Sequence, residues 1–181
     1  MKIKNFIDNT TKFVLKRLSE LVGLILLGFS ILLLISLISY SPEDPNFIFP
    51  ENAEIKNLLG IKGSFTADIL YQSIGLISLL IPISFFFISL SVIIDKKILH
   101  IIESLFFIIL YSIIGTLFFT TFHTETYWLT VNGNNGFIGN LFEDTFFVNV
   151  ILLNHQISYV ILIVLISIFF LLSINFKFKF I

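Results

Sequence analysis

The sequence predicts an all-α integral membrane protein. It has four transmembrane helices, both termini on the cytoplasmic side, and an outer-interface or re-entrant helix between the third and fourth spans. Three observations predict this. Of the 181 residues, 56% are hydrophobic and 13% charged, about half the charge of an ordinary soluble domain. The charges are expelled into short patches between apolar runs long enough to cross a bilayer. Finally, the basic residues fall on alternate connections, which sets sidedness.

Residues 1–20 form a basic arm, with Lys2, Lys4, Lys12, Lys16 and Arg17 against Asp8 and Glu20. The first span, residues 21–40, follows. At about 1.5 Å per residue it reaches roughly 30 Å, the hydrocarbon thickness. It exceeds the apolar region of a signal peptide and lacks a small-residue cleavage site, so it reads as a retained span. Pro42 and Pro45 bracket Glu43 and Asp44 just beyond it. Pro42 lacks an amide hydrogen and disfavours helix at Ser41, and two adjacent carboxylates hold the chain in water. The first helix therefore leaves the membrane here.

In the loop of residues 41–68, Gly60 and Gly63 permit turns before the second span. Asp68 falls near the first turn of that span, where a carboxylate meets the positive end of the helix dipole. The second span covers residues 69–94, with Gly75, Ser78 and Pro82 on one face and a kink expected at Pro82. Asp95-Lys96-Lys97 leaves room for only a tight connection, so the third span, residues 98–122, forms an antiparallel hairpin with the second. Ser104, Ser112 and Gly115 share a face of the third. Small residues let membrane helices approach closely. Packing within the hairpin is the plain expectation, and contact between subunits is the sharper one.

The loop of residues 123–156 has no lysine or arginine. It carries the turn Asn132-Gly133-Asn134-Asn135-Gly136, then a mostly apolar stretch, residues 137–153, in which Gly139 lies. Asn140, Glu143 and Asp144 gather on one side of it, as in a helix lying in or dipping into the outer interface. The fourth span, residues 157–176, leads to a stub, 177–181, with Lys177 and Lys179. Nine of the eleven basic residues thus lie on one side, with Lys56 and Lys62 opposite. The positive-inside rule makes the majority side cytoplasmic.

Chemistry is sparse. The absence of cysteine excludes disulfides and thiol catalysis. No phosphate-binding loop, dinucleotide fingerprint or nucleophile elbow occurs. His123, Glu125 and His155 share a loop but follow no metal-ligand spacing. His100 and Glu103 share a face at the shallow cytoplasmic start of the third span, which suits an interfacial or packing role. Tyr40, Tyr127 and Trp128 sit where an outer aromatic belt is expected. No catalytic, cofactor-binding or metal residue is expected.

Four passages, in order, resemble the N-terminal four-span membrane region of FtsK/SpoIIIE-type bacterial DNA translocases. They are Ser36-Leu37-Ile38-Ser39-Tyr40-Ser41-Pro42-Glu43-Asp44-Pro45, the passage from Asn57 to Leu70 containing Gly60, Gly63 and Asp68, the stretch from Gly75 to Pro82, and Asn132-Gly133 with Gly136-Phe137-Ile138-Gly139. The resemblance implies a membrane anchor and assembly module at the bacterial division septum, in the inner membrane. Its partners would be division proteins, membrane lipid and further copies of the chain. DNA would be reached only through a motor domain. The chain ends at Ile181, just past the fourth span, so the motor and DNA-reading domains are expected to be absent from this polypeptide. It reads as a fragment of a longer product or a motorless member, and not as an enzyme. A small transporter or channel subunit is the alternative, and an intramembrane enzyme is disfavoured because the spans carry no convergent polar set.

Overall fold

In hydrocarbon a backbone can satisfy its polar groups only within helices or closed barrels. Every regular element among the described residues is helical. The computed structural model describes residues 2–45, 54–96, 98–123, 129 and 131–175. Tyr127, Trp128, Glu125, Lys97 and the terminal Lys177 and Lys179 lie outside them.

α1 runs Lys2–Ile38 without interruption. The basic arm is therefore not a separate segment but the first turns of the spanning helix. α1 stops four residues before Pro42, and the chain turns there, with the Asp44 amide donating to the Ser41 carbonyl at 3.1 Å. α2 is Gly60–Ile74. A 3-10 turn, Gly75–Leu79, separates it from α3, Leu80–Asp95. α4 is Leu99–Phe122, α5 Gly136–Phe142, α6 Phe146–Leu153 and α7 His155–Ser173. Among the described residues, four helical stretches are long and apolar enough to cross a membrane: Asn9–Ile38, Gly60–Asp95, Leu99–Phe122 and His155–Ser173.

The second stretch departs from expectation in three ways. It begins at Gly60, so Asp68 lies two turns inside α2 and not at its start. Its interruption falls at Gly75, which has φ +69°, and not at Pro82. That proline occupies the third position of α3, within the first turn, where proline is tolerated. Lastly, α2 does not continue the line of α3 along α1. Ser19, Gly23 and Phe29 of α1 meet Lys96, Ile93 and Phe85 in antiparallel order. Beyond them, Ser36, Leu37 and Tyr40 meet Gly63, Tyr71 and Asp68. That order is no longer antiparallel, so α2 crosses the end of α1. Lys62, Ser64, Thr66, Asp68 and Gln72 all sit on α2, whereas α3 carries no charge before Asp95.

The single helix expected over residues 137–153 is two short ones, α5 and α6, bent by 78°. The break falls at Glu143-Asp144-Thr145, where Thr145 is extended.

α1 packs chiefly on α3, and α4 chiefly on α7. The tight connection makes α3 and α4 neighbours, but their main partners lie elsewhere. The α4–α7 seam is aromatic: Phe107 stacks on Phe169, Tyr111 meets Phe170 edge-on, and Phe118 and Phe122 meet Tyr159. Phe122 also meets His155. One polar node crosses the apolar interior: the Ser84 hydroxyl lies 3.1 Å from the Tyr111 hydroxyl and 3.0 Å from that of Ser173, joining α3, α4 and α7. The end bearing α2, α5 and the long connections is the loop end. The end bearing Lys96 is the hairpin end.

Candidate functional site

Most of the residues singled out in the sequence converge on the loop end. There α1 must release a chain that turns back across it, and every polar group shut in by that crossing needs a partner. Asp44 supplies the first. It is 3% exposed, and its two carboxylate oxygens accept the backbone amides of Lys56 and Asn57, each at 2.8 Å. The expectation that both acids stand in water thus holds for Glu43 alone, which is exposed and paired with Lys56. That ammonium holds the Glu43 carboxyl below the usual glutamate range. Pro42 is exposed and Pro45 buried, and the Pro45 carbonyl accepts the Ser64 hydroxyl at 3.0 Å.

Asn57 carries the clasp onward. Its side chain donates to the Ser36 carbonyl at 2.9 Å and accepts the Leu59 amide at 3.1 Å. The Ser36 hydroxyl donates to the Gly63 carbonyl at 2.6 Å. A side chain at Gly63 would overlap Asn57 and Leu59. Gly60, at φ +65°, opens α2. Two turns further, the buried Asp68 carboxylate accepts the Tyr40 hydroxyl at 3.0 Å and the Gln72 amide at 3.4 Å. Tyr71 donates to the Leu37 carbonyl at 3.1 Å, and its ring lies 4.9 Å from that of Tyr40.

The second half of the site is a loop seated in the break of the second span. Gly75 combines φ +69° with ψ −151°, a region essentially reserved for glycine. There the Leu76 amide, freed from the helix, donates to the Asn134 carbonyl at 2.9 Å. A Cβ on Gly75 would overlap that carbonyl, and one on Gly136 would overlap the Gly75 amide nitrogen. Two glycines from distant segments thus interlock backbone to backbone. Asn132 ties the loop to α2 through both the carbonyl and the side-chain oxygen of Gln72. Thr120 of α4 ties it to α5: its hydroxyl donates to the Gly139 carbonyl at 3.0 Å and lies 3.2 Å from the Asn135 amide.

Asp44, Pro45, Gly60, Gly63, Asp68, Gly75, Gly136 and Gly139 therefore share one region. Pro82 and Gly115 do not. Pro82 is buried in α3, and Gly115 of α4 accommodates Ile77. Both Gly75 and Gly115 are thus covered within the chain, so neither face is free for another subunit. Sequence reasoning assigned no bonding role to Asn57, Ser36, Gln72, Asn132 or Thr120. Only Asn57 carries a local signal, an asparagine bonding its own backbone two residues on.

Chemically the clasp is saturated: its carboxylates and carbonyls are occupied by amides and hydroxyls. Among the described residues no group of three histidines or acids could hold a metal. His100 lies 3.2 Å from an exposed Glu103 near the hairpin end, apart from the clasp.

Such a fold and site define a multi-pass α-helical membrane domain whose elaboration is concentrated at one end. More particularly, residues 15–181 match the family described as the 4TM region of DNA translocase FtsK/SpoIIIE, and the chain belongs to that family. Relatives named DNA translocase FtsK include one from Rickettsia bellii, 44% identical over 50 residues, which is 28% of this chain and 7% of the relative. One from Rhizobium meliloti is 37% identical over 68 residues, 38% of this chain and 8% of the relative. A third, from Rickettsia typhi, is 41% identical over 54 residues, 30% and 7% respectively. The chain thus spans under a tenth of the length of these relatives. No solved structure matches it.

Proposed function

We propose that this chain is the membrane-anchoring and septal assembly module of an FtsK-like DNA translocase. The observation that carries the reading is the family match over residues 15–181. The clasp supports it, because the residues of the family-like passages meet at one end. The module acts as a scaffold in the bacterial inner membrane. Its hairpin end and both termini face the cytoplasm, and its loop end faces outward toward division partners. α5 and α6 lie at or dip into the outer interface: Phe146, Phe147 and Leu153 of α6 are exposed, as suits lipid contact. Self-association uses faces other than those of Gly75 and Gly115. ATP hydrolysis and DNA movement belong to a motor domain outside this membrane region.

Sidedness is tested first. The chain has no cysteine, so single cysteines at Lys12, Glu54, Val131 and Lys179 report individually. An impermeant maleimide added to spheroplasts should label positions 54 and 131 and spare 12 and 179. Equal labelling at 131 and 179 would reverse the proposed topology. For the septal role, a fluorescent fusion of residues 1–181 should concentrate at mid-cell in dividing cells. Uniform membrane fluorescence in cells with visible septa would remove the anchor reading and favour the transporter alternative.

A further inference from the structure

Where α2 crosses α1, the two helices diverge and leave a groove of about 300 Å³. Its apolar wall comes from Phe29, Leu32 and Leu33 of α1, closed from above by Leu59, Lys62 and Thr66. Phe29 and Leu32 stay about half exposed, whereas Leu33 is buried and forms the floor. On the topology proposed above, this wall faces hydrocarbon and the α2 rim the headgroup layer. Lys62 stands on that rim. Its neighbours' charges are already engaged: Glu43 pairs with Lys56, Asp44 holds two amides, and Asp68 holds Tyr40 and Gln72. Lys62 joins none of the ion pairs among the described residues. An apolar slot ending at an unengaged ammonium is complementary to a phospholipid acyl chain whose glycerol carries a phosphate.

We propose that the groove binds one acyl chain of an anionic phospholipid, with its phosphate on the Lys62 ammonium. That the lipid comes from the outer leaflet rests on the sidedness proposed above; the binding itself does not.

The full chain in detergent micelles, titrated with phosphatidylglycerol or phosphatidylcholine and read by native mass spectrometry, tests this. Wild type should retain one phosphatidylglycerol in preference to phosphatidylcholine. Lys62→Ala, at an exposed position, should lower phosphatidylglycerol retention roughly tenfold, the scale of one charge-assisted contact. Lys12→Ala should leave it unchanged. Leu32→Trp, which fills the slot without touching the charge, should lower retention of both lipids. Equal losses in the Lys62 and Lys12 variants would mean bulk charge attraction and overturn the site. So would a Leu32→Trp variant that binds like wild type. A reversed topology in the maleimide assay would move the lipid to the other leaflet and leave these binding results as stated.

Discussion

The two ends of the molecule are held by different physics. At the hairpin end α1 meets α3 by apolar packing, with Gly23 accommodating Ile93. Polar contacts between α1 and that end, among the described residues, include Glu20 with Lys96 and the Ser19 hydroxyl 3.4 Å from the Lys96 carbonyl. At the loop end, carboxylates, amides and hydroxyls from α1, α2, α4, α5 and the connections between them bond one another across large sequence separations. The difference follows from geometry. A tight connection between antiparallel helices strands few polar groups, and Lys96, in the left-handed conformation, satisfies the end of α3 through the Val92 carbonyl. A helix crossing its neighbour, with a loop seated in its break, strands many. Apolar packing in lipid carries no hydrophobic gain of its own, so the loop end is where the arrangement of the spans is specified.

That contrast can be broken at the loop end first. Gly75→Leu places a side chain in a glycine-only conformation and against the Asn134 carbonyl. It should cost roughly 3 kcal/mol or more, read as a lost thermal transition in detergent. Asp44→Ala orphans the Lys56 and Asn57 amides and should cost about 2–3 kcal/mol, with Asp44→Asn intermediate because it keeps one acceptor. Tyr40→Phe removes one donor from Asp68 and should cost about 1 kcal/mol. At the hairpin end, Glu20→Gln should shift the same transition less than any of these, since that end relies on packing. Smallest of all is the surface pair Glu43–Lys56. Lys56 lowers the Glu43 pKa, so its contribution is complete above the ordinary glutamate range and is lost as pH falls through the lowered value. A pH titration of Glu43→Gln against wild type should therefore diverge only slightly, and only on the neutral side. Equal sensitivity of both ends would erase the contrast.

What the sequence made legible tracks what lipid imposes. Hydrocarbon thickness dictates the apolar runs, and α4 and α7 begin and end within a few residues of expectation. α1 ends at Ile38, four residues before Pro42. The rest depended on distant partners. Gly75 looked like one small residue in a packing face, because the Asn134 carbonyl that explains it lies in another loop. Pro82 looked like the kink because its strain is local and visible, yet the chain places it where proline is harmless. Asp44 looked hydrated because the amides that neutralise its burial come from residues 56 and 57. From the sequence Asp68 falls at a helix start, because Gly60 looks like a turn residue and not the first residue of α2. The site residues were recognisable as a set through family-like passages, but their common location was not.

Amide hydrogen exchange of the full chain in nanodiscs, resolved to single residues, tests the locked loop end most directly. The reporters are the amides of Asn57 and Leu76, bonded to Asp44 and to the Asn134 carbonyl. Both should exchange as slowly as amides in the middle of α3, and Asp44→Ala should release Asn57 first. Exchange of both at the rate of an open loop in the wild-type protein would contradict the account.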